Sequence, residues 1–301
     1  MMIRYRSRFL TRGEVWFDND PGETARTVDW ILYRQRSHPL PGMKARNFYT
    51  LLIDLSQPYE QLQAALQKGT ADKIRRARER DKIACEFLDP RDPAVMDRFE
   101  RMYNAFASIK GLAPLCRSRL EAMGAAGVLE ISVAKDREGN SLLYHANYRD
   151  ASRVALMELP SLYRTVPDSG TRNLIGRANR YLIWTEILRA KEAGLRFLDF
   201  GGWYSGTNPA MNKINEFKRG FGGRVVREFQ CEAILTLRGW LVLTAAAVRN
   251  GPKRVRLMFQ RQSATASAAR SPGAVIPTAA TALDAPGLRE PKILNSTSRE
   301  P

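Results

Sequence analysis

The strongest constraint on the fold is a regular alternation of strand-like and helix-like patterns between residues 47 and 235. Apolar runs bounded by turn residues predict strands at 47–56, 82–89, 128–136, 141–149, 153–160, 195–202 and 223–235. Apolar residues at helical spacing predict helices at 58–81, after Pro93, and at 114–125, 173–193 and 209–219. Gly194 stands where a helix-ending glycine is expected. We therefore expect a domain that mixes α and β structure.

The two ends of the chain lack this regularity. Residues 1–45 are weakly patterned and contain the breakers Pro21-Gly22 and Pro39-Leu40-Pro41-Gly42. Residues 262–301 contain five prolines and no aromatic residue, a composition that predicts a disordered tail. Residues 237–261 are basic and amphipathic and are expected to close the domain. The predicted division is an extension at 1–81 (a strand and a basic helix), a main domain at 82–236, the closing segment and the tail.

Charge and composition limit the partners. The 48 Lys and Arg outnumber the 31 Asp and Glu, giving a formal charge of +17 that favours anionic partners such as nucleotide phosphates, tRNA or an acidic membrane. The 3 widely spaced cysteines argue against a disulfide framework, and the 2 histidines argue against a histidine-rich metal site, so no metal is expected. The sequence shows no signal-peptide pattern, and its longest apolar run, 240–248, is too short to cross a bilayer. We expect a cytoplasmic protein, soluble or peripheral to the inner membrane.

The order of elements from 82 to 235 resembles the GNAT acyltransferase fold. That fold has a mixed central sheet flanked by helices and binds acetyl-CoA where two central parallel strands splay apart. GNAT proteins carry a phosphate loop, Q/R-x-x-G-x-G/A, and the corresponding place here reads Asn173-Leu-Ile-Gly176-Arg177-Ala178. Exposed N–H groups at a helix N-terminus bind pyrophosphate. The resemblance therefore implies acyl-CoA, such as acetyl-CoA, as co-substrate, with Asn173, Gly176, Arg177 and Ala178 among its contacts.

Three stretches are similar to the FemAB branch of that superfamily, whose members transfer amino acids or acyl groups in cell-wall and polysaccharide synthesis. They are residues 53–83, where a strand leads into a basic helix, residues 184–202, and NEFKRGFGG at 215–223, which is like the family's FK-x-x-FG ending. FemAB proteins of the Gram-positive cell wall have two GNAT-like domains, whereas one is traced here.

The stretch from 199 to 223 contains six glycines, which either form tight turns or make room for a ligand. By the resemblance, Gly201 and Gly202 lie beside the pantetheine arm of the donor. Asn208 opens a predicted helix as its N-cap. In GNAT proteins an asparagine at the corresponding place also contacts pantetheine, so both roles are expected.

Acyl transfer to an amine needs a base near the amine. Many GNAT enzymes use a tyrosine on the last helix as the acid, but Glu216 or Phe217 stands there. Three candidates remain, each with an alternative. Glu158, among apolar strand residues, is a desolvated base or a solvent-facing or arginine-paired carboxylate. His145 is a base or a satisfied core or surface histidine. Asp199, at a strand's C-terminal end, is functional or a structural lock.

Basic residues provide candidate substrate contacts. The segment KIRRARERDK at 73–82 has six basic residues in ten, so Arg75 and Arg76 either bind an anionic substrate or belong to an exposed salt-bridged face. Lys218 likewise contacts substrate phosphates or lies on a solvated helix face. The segment around 240–248 either lies on an anionic membrane or packs on the domain.

The function expected from this combination is N-acyl transfer. The chain would move an acyl group from acyl-CoA to an amine of a sugar or peptide in cell-envelope or polysaccharide biosynthesis, with a small-molecule or lipid-linked anionic substrate. One alternative is FemAB-type aminoacyl transfer from aminoacyl-tRNA to a peptidoglycan precursor. Another is a non-catalytic binding module with the GNAT fold.

Overall fold

The computed structural model describes residues 1–22 and 27–246, and within them ten strands form one sheet. The strands are β1 Met2–Ser7, β2 Leu10–Trp16, β3 Trp30–Arg36, β4 Lys44–Asp54, β5 Ala84–Leu88, β6 Leu129–Lys135, β7 Ser141–Arg149, β8 Arg153–Glu158, β9 Phe197–Gly202 and β10 Arg224–Ile234. The helices are α1 Tyr59–Ala64, α2 Lys68–Glu79, α3 Pro93–Lys110, α4 Arg117–Ala125, α5 Ser169–Glu192 and α6 Pro209–Arg219. A 3-10 turn covers Leu162–Arg164, and residues 237–246 are helical.

The sheet is mixed, as the sequence predicted. Its strand order is β1-β2-β3-β10-β4-β9-β8-β7-β6-β5. Two neighbouring pairs are parallel, β2 with β3 and β8 with β9, and the other pairs are antiparallel. The three strands β6, β7 and β8 form the predicted meander. The parallel pair β8–β9 lies near the middle of the sheet and is joined by the long helix α5, as a crossover between parallel strands requires.

Three N-terminal strands were not predicted. Residues 1–45 lack clear alternation because β2 and β3 bury charged residues beside apolar ones, including Glu14 and Arg34, whose side chains pair with each other. A pattern search reads such residues as exposed positions and breaks the strand. The strands before residue 55 belong to the same sheet as those after residue 82. The domain boundary expected at residue 81 therefore remains a prediction, and strands from both sides of it are hydrogen-bonded in one sheet.

Two predicted helices have different bounds in the structure. The helix expected at 58–81 is two helices, α1 and α2, because the chain turns between them and the Gln67 amide donates to the Gly220 carbonyl at 3.0 Å. The helix expected from residue 173 begins at Ser169. Asp168 caps it by accepting from the backbone amides of residues 170 and 171. Its end is as predicted: Gly194 follows α5 with a φ of 74°.

Helices cover the two faces of the central sheet. On one face, α3 and α4 pack with β1 and β2 around Phe99, Met123 and Tyr148. Trp16 stacks on Tyr148 with ring centroids 4.5 Å apart, which brings the end of β2 over β7. On the other face, α5 packs with α1, α2 and the strands β4 to β9. Between these helical layers, the neighbouring strands β8 and β9 separate near the middle of the sheet, and the candidate site lies there.

The predicted tail at 262–301 and most of the predicted closing segment lie outside the described residues. Among the described residues, the longest and most apolar helices still fall short of what a bilayer crossing requires.

Two residues of α3 that differ in burial test how this helix packs on the sheet. Phe99 is fully buried, with its ring centroid 6.1 Å from that of Tyr144, whereas Ile109 on the same helix is 52% exposed. We expect Phe99→Ala to lower the free energy of unfolding by about 3–5 kcal/mol, because the cavity cannot fully collapse. Ile109→Ala should change it by about 0.5 kcal/mol or less. Urea denaturation followed by circular dichroism measures both, and equal losses would contradict this arrangement of α3.

Candidate active site at the opening of the sheet

The parallel strands β8 and β9 stay together for a short distance only. Three residue pairs are in register: Arg153 with Phe197, Val154 with Leu198, and Ala155 with Asp199. Both strands continue for three more residues without further pairing to each other. Beyond Ala155 and Asp199 the backbones of the two strands are therefore no longer bonded to each other in the middle of the sheet. Separated strands of this kind leave a place where a ligand can bind.

A bulge on each strand sets this opening. In β8, Ala146 pairs with Glu158 and Asn147 with Leu156, so Met157 is an extra residue. In β9, an extra residue lies between the positions that pair with Leu52 and Thr50. Bulges bend and twist a strand, and they are frequent beside active sites. The two strands consequently diverge toward their C-terminal ends.

The glycines in β9 have different roles. Gly201 has a φ of 65°, and a Cβ on it would lie 3.1 Å from the Leu156 carbonyl oxygen. It is therefore required by the backbone of the bulge, which favours the turn interpretation at this position. Gly202 is not among the glycines with positive φ. The prediction that a glycine makes room for a ligand thus rests on Gly202.

Lys218 lies at the C-terminal end of β9. Its Nζ donates to the carbonyl oxygens of Gly201, at 3.2 Å, and Gly202. Burial lowers the pKa of Lys218 to about 8, although the nearby Asp199 carboxylate opposes this shift. The alternative interpretation placed Lys218 on a solvated helix face, and these contacts do not fit it. It places a cation against the wall of the opening.

Glu158 ends β8 on the opposite side of the opening. Its side chain is 29% exposed, and Oε1 lies 3.4 Å from Nη1 of Arg119 on α4. Burial raises the pKa of Glu158, with Glu14 adding to the shift and Arg119 and Arg34 opposing it. The predicted desolvated carboxylate is therefore combined with the arginine pairing that had been its alternative.

Arg119 is itself fixed by a buried carboxylate. Glu14 accepts from Nε of Arg119 at 2.8 Å, from Nε of Arg34 at 3.0 Å and from the Tyr5 hydroxyl at 2.9 Å. Burial alone would raise the pKa of Glu14, but the two guanidinium groups hold it far below its ordinary value. Glu14 therefore stays ionised and keeps Arg119 beside Glu158.

Asp199 is fully buried and enclosed by donors. It accepts from the Arg153 guanidinium, the Gln35 amide and the Thr50 hydroxyl, and from the Gly201 backbone amide at 2.7 Å. These contacts favour the structural lock, the second of its two expected roles. A base that abstracts a substrate proton must reach the substrate, and nothing in this geometry gives Asp199 that access.

His145 is also buried away from the opening. One ring nitrogen, Nδ1, lies 3.0 Å from a Glu186 oxygen, and Nε2 lies 3.0 Å from the Asn179 side chain. Glu186 also accepts from Ser132 and Asn147. Both ring nitrogens thus have partners within the α5 interface. The satisfied core histidine, its alternative interpretation, fits these contacts.

The predicted phosphate loop lies inside α5. Because the helix begins at Ser169, residues 173–178 occupy its second and third turns, where backbone N–H groups bond within the helix. Ala178 is a fully buried core residue, and Arg177 is paired with Asp81. A Cβ on Gly176 would lie 3.9 Å from the Arg180 guanidinium, which also donates to the Gly176 carbonyl oxygen. The physical argument for pyrophosphate binding by Asn173, Gly176, Arg177 and Ala178 therefore fails: it required N–H groups free of helix bonds.

The remaining predicted contacts are near the surface. Asn208 is the N-cap of α6, since its Oδ1 accepts from the Ala210 amide at 2.9 Å, as predicted. Arg75 pairs with Asp72 at 3.0 Å, and Arg76 lies 4.0 Å from Asp81, so both belong to a salt-bridged face of α2. That face remains strongly basic and exposed.

Several site residues were missed from the sequence: Glu14, Tyr103, Arg119, Arg153 and Glu228. Each carries a charge or a hydroxyl group. Each contacts Glu158 or Asp199, or else binds the arginine that contacts one of them. A signal existed for one of them. Glu228 is an acidic residue inside the strand predicted at 223–235, much as Asp199 is inside its strand.

Comparison with solved structures finds a similar fold in FemX. FemX superposes with a TM-score of 0.55 at 12% identity, over 80% of this chain and 85% of FemX. L-PGS from Bacillus licheniformis superposes with a TM-score of 0.47 at 13% identity, over 84% of this chain and 86% of that one. No protein-family model and no curated protein sequence matches. The likeness to FemX confirms the predicted GNAT-like fold of the FemAB type.

The buried hydrogen bonds of Asp199 predict that replacing this residue costs more stability than replacing an aspartate on the neighbouring strand β4. Asp199→Ala removes an acceptor from the buried Arg153, and we expect a loss of about 3–5 kcal/mol in the free energy of unfolding. Asp54→Ala, at the exposed end of β4, loses hydrogen bonds to Ser56 and should cost about 1 kcal/mol or less. Chemical denaturation of both variants measures the difference. Similar small losses would show that the lock does not hold the strands.

Proposed function

We propose that this protein is an acyltransferase that moves an acyl group to an amine in cell-envelope or polysaccharide biosynthesis. The observation that carries the proposal is the opening between β8 and β9, with a desolvated carboxylate and a cation on its two walls. Glu158 contacts the α3–α4 side. Lys218 belongs to α6, whose Phe217 ring packs under Arg180 of α5 at 4.6 Å.

The two groups fit the two needs of acyl transfer to an amine. The amine must lose a proton when it attacks the acyl carbon, and a carboxylate whose pKa is raised above its ordinary value is a better acceptor than a free one. The carbonyl oxygen gains negative charge during the attack, and a cation or N–H donors stabilise it. We assign the first role to Glu158. We assign the second role to Lys218.

The donor in this proposal is an acyl-CoA. The amide C–N bond forms as the thioester C–S bond breaks, and CoA leaves as a thiol that takes up the proton lost by the amine. Gly202, at the mouth of the opening, leaves room for the extended arm of such a donor. The pyrophosphate would have to bind elsewhere than at 173–178, since that segment is helical throughout.

A second candidate donor, aminoacyl-tRNA, is favoured by one feature of the structure. The Asp168 carboxylate occupies the first amides of α5, which are the groups that a CoA pyrophosphate would use. By contrast, α2 presents exposed basic side chains that suit a long polyanion, among them Lys73, Arg75, Arg76 and Arg78.

Donor binding tests both candidates. We expect acetyl-CoA to raise the melting temperature of the wild type, because a ligand at a hundred times its Kd stabilises by about 2.7 kcal/mol. Gly202→Val should abolish the shift by narrowing the opening. The matched control is Gly69→Val on α2, where nothing lies within 4 Å of an added Cβ.

The melting-temperature shifts distinguish the candidate donors. Stabilisation by aminoacyl-tRNA alone would replace the first donor by the second. Failure of both donors would contradict the proposal and leave the non-catalytic binding module. A shift that persists in Gly202→Val would place the donor away from the opening.

The pH dependence tests the two roles. The raised pKa of Glu158 means that the carboxyl keeps its proton to a higher pH than a free glutamate, so the rate should rise with pH above the ordinary carboxyl range. It should fall again as Lys218 loses its proton near a pKa of about 8. Glu158→Gln should lower single-turnover transfer by about 10²–10⁴-fold and remove the acid limb.

A further variant tests whether Lys218 causes the fall in rate at high pH. Lys218→Arg keeps the charge at all accessible pH values and should shift that limb upward. A Glu158→Gln variant that keeps nearly full rate, with an unchanged pH profile, would show that the base lies elsewhere.

A further inference from the structure

A helix at residues 237–246 follows the last strand and is attached firmly at its start. The Thr236 hydroxyl donates to Asp29 at 2.6 Å and accepts from the Gly239 amide at 3.0 Å. A Cβ on Gly239 would lie 2.7 Å from the Asp29 carbonyl oxygen, so the helix backbone packs directly on the loop before β3. The orientation of this helix is therefore fixed.

The outer side of the helix is apolar. Leu237 is 73% exposed, and Trp240 and Leu241 are each 54% exposed. Their spacing places them on one face of the helix. Ile234 and Leu235, just before the helix, are 44% and 42% exposed. Several large apolar side chains in one place are unusual on a protein surface and indicate a binding surface. We call Ile234, Leu235, Leu237, Trp240 and Leu241 the apolar ridge.

Tryptophan burial singles out the ridge. The chain has 5 tryptophans, all within the described residues. Trp16, Trp30, Trp184 and Trp203 are at most 9% exposed. Trp240 alone is exposed, and tryptophan is the residue that prefers the boundary between water and lipid.

The sequence that contains and follows the ridge is basic. From residue 233 to residue 283 the sequence contains 7 basic residues and no acidic one. Arg238 is exposed on the helix itself. A basic segment beside exposed leucine and tryptophan complements an anionic bilayer surface, where apolar side chains enter the lipid and arginines meet the headgroups.

The ridge is at the same end of the sheet as the opening. β10 is antiparallel to β4, and β4 is antiparallel to β9, so β10 and β9 run in the same direction. Gly202 at the end of β9 pairs with Thr50, which pairs with Val226 of β10. β10 then continues to Ile234 in that direction, and the ridge begins there.

We propose that the apolar ridge binds the surface of an anionic lipid bilayer. The proposal does not depend on the reaction that the protein catalyses. A second copy of the chain would be a less suitable occupant, because the basic segment that follows the ridge in sequence would repel its equivalent in a symmetric contact.

Vesicle binding tests the proposal with the full chain. We expect co-sedimentation with vesicles of mixed phosphatidylcholine and phosphatidylglycerol, and weak binding to phosphatidylcholine alone. The double variant Leu237→Ser/Leu241→Ser should bind about tenfold or more weakly, because two leucines no longer leave water. The matched control is Phe9→Ser, which removes a 68% exposed apolar side chain from the β1–β2 turn. It should bind within about twofold of the wild type.

Fluorescence shows which surface is in contact. Brominated lipids should quench the emission of Trp240 in the wild type, and Trp240→Phe should lose that quenching while the other four tryptophans remain unaffected. Unchanged vesicle binding by the double leucine variant would overturn the proposal. So would failure of the wild type to bind anionic vesicles.

Two other occupants give their own signatures, and either would overturn the proposal. If a second copy covers the ridge, the wild type should sediment as a dimer and the double variant as a monomer, with no vesicle binding. If another part of the chain covers it, acrylamide should fail to quench Trp240 in the full chain without vesicles.

Discussion

Much of the structure depends on one buried arginine. Arg153 of β8 donates to Asp199 of β9 and to Glu228 of β10, and Gln35 of β3 donates to both carboxylates. Thr50 of β4 donates to Asp199 as well. The five strands that supply these residues are consecutive in the sheet, in the order β3, β10, β4, β9 and β8. Burying these charges is costly, and their mutual pairing offsets that cost only in this register.

The position of this network explains why the sheet opens where it does. Asp199 belongs to the last parallel pair between β8 and β9, and both bulges come directly after it. The strands are thus held together at one end and released at the other. The network thus forms a rigid support next to the opening, and the proposed acyl transfer would use it because reacting groups must be held in place before the reaction.

A second buried charge cluster serves the other wall. Glu14 of β2 fixes Arg119 of α4, and Arg119 lies beside Glu158 at the end of β8. Strands at the far edge of the sheet thereby support a residue near its centre. This connection gives the N-terminal strands a part in the site, although no residue of β1 to β3 was singled out by its sequence.

The sequence determined the element types after residue 47, the mixed fold and the N-cap at Asn208, because these follow from local periodicity and composition. Only the tertiary structure decided the rest. It made Asp199 a lock and His145 a core residue, since their partners lie 46 and 41 residues away in sequence at Arg153 and Glu186. It also put residues 173–178 inside α5, because the Asp168 cap starts that helix earlier. Local patterns carry no information about such distant pairings, which arise only when strands and helices pack.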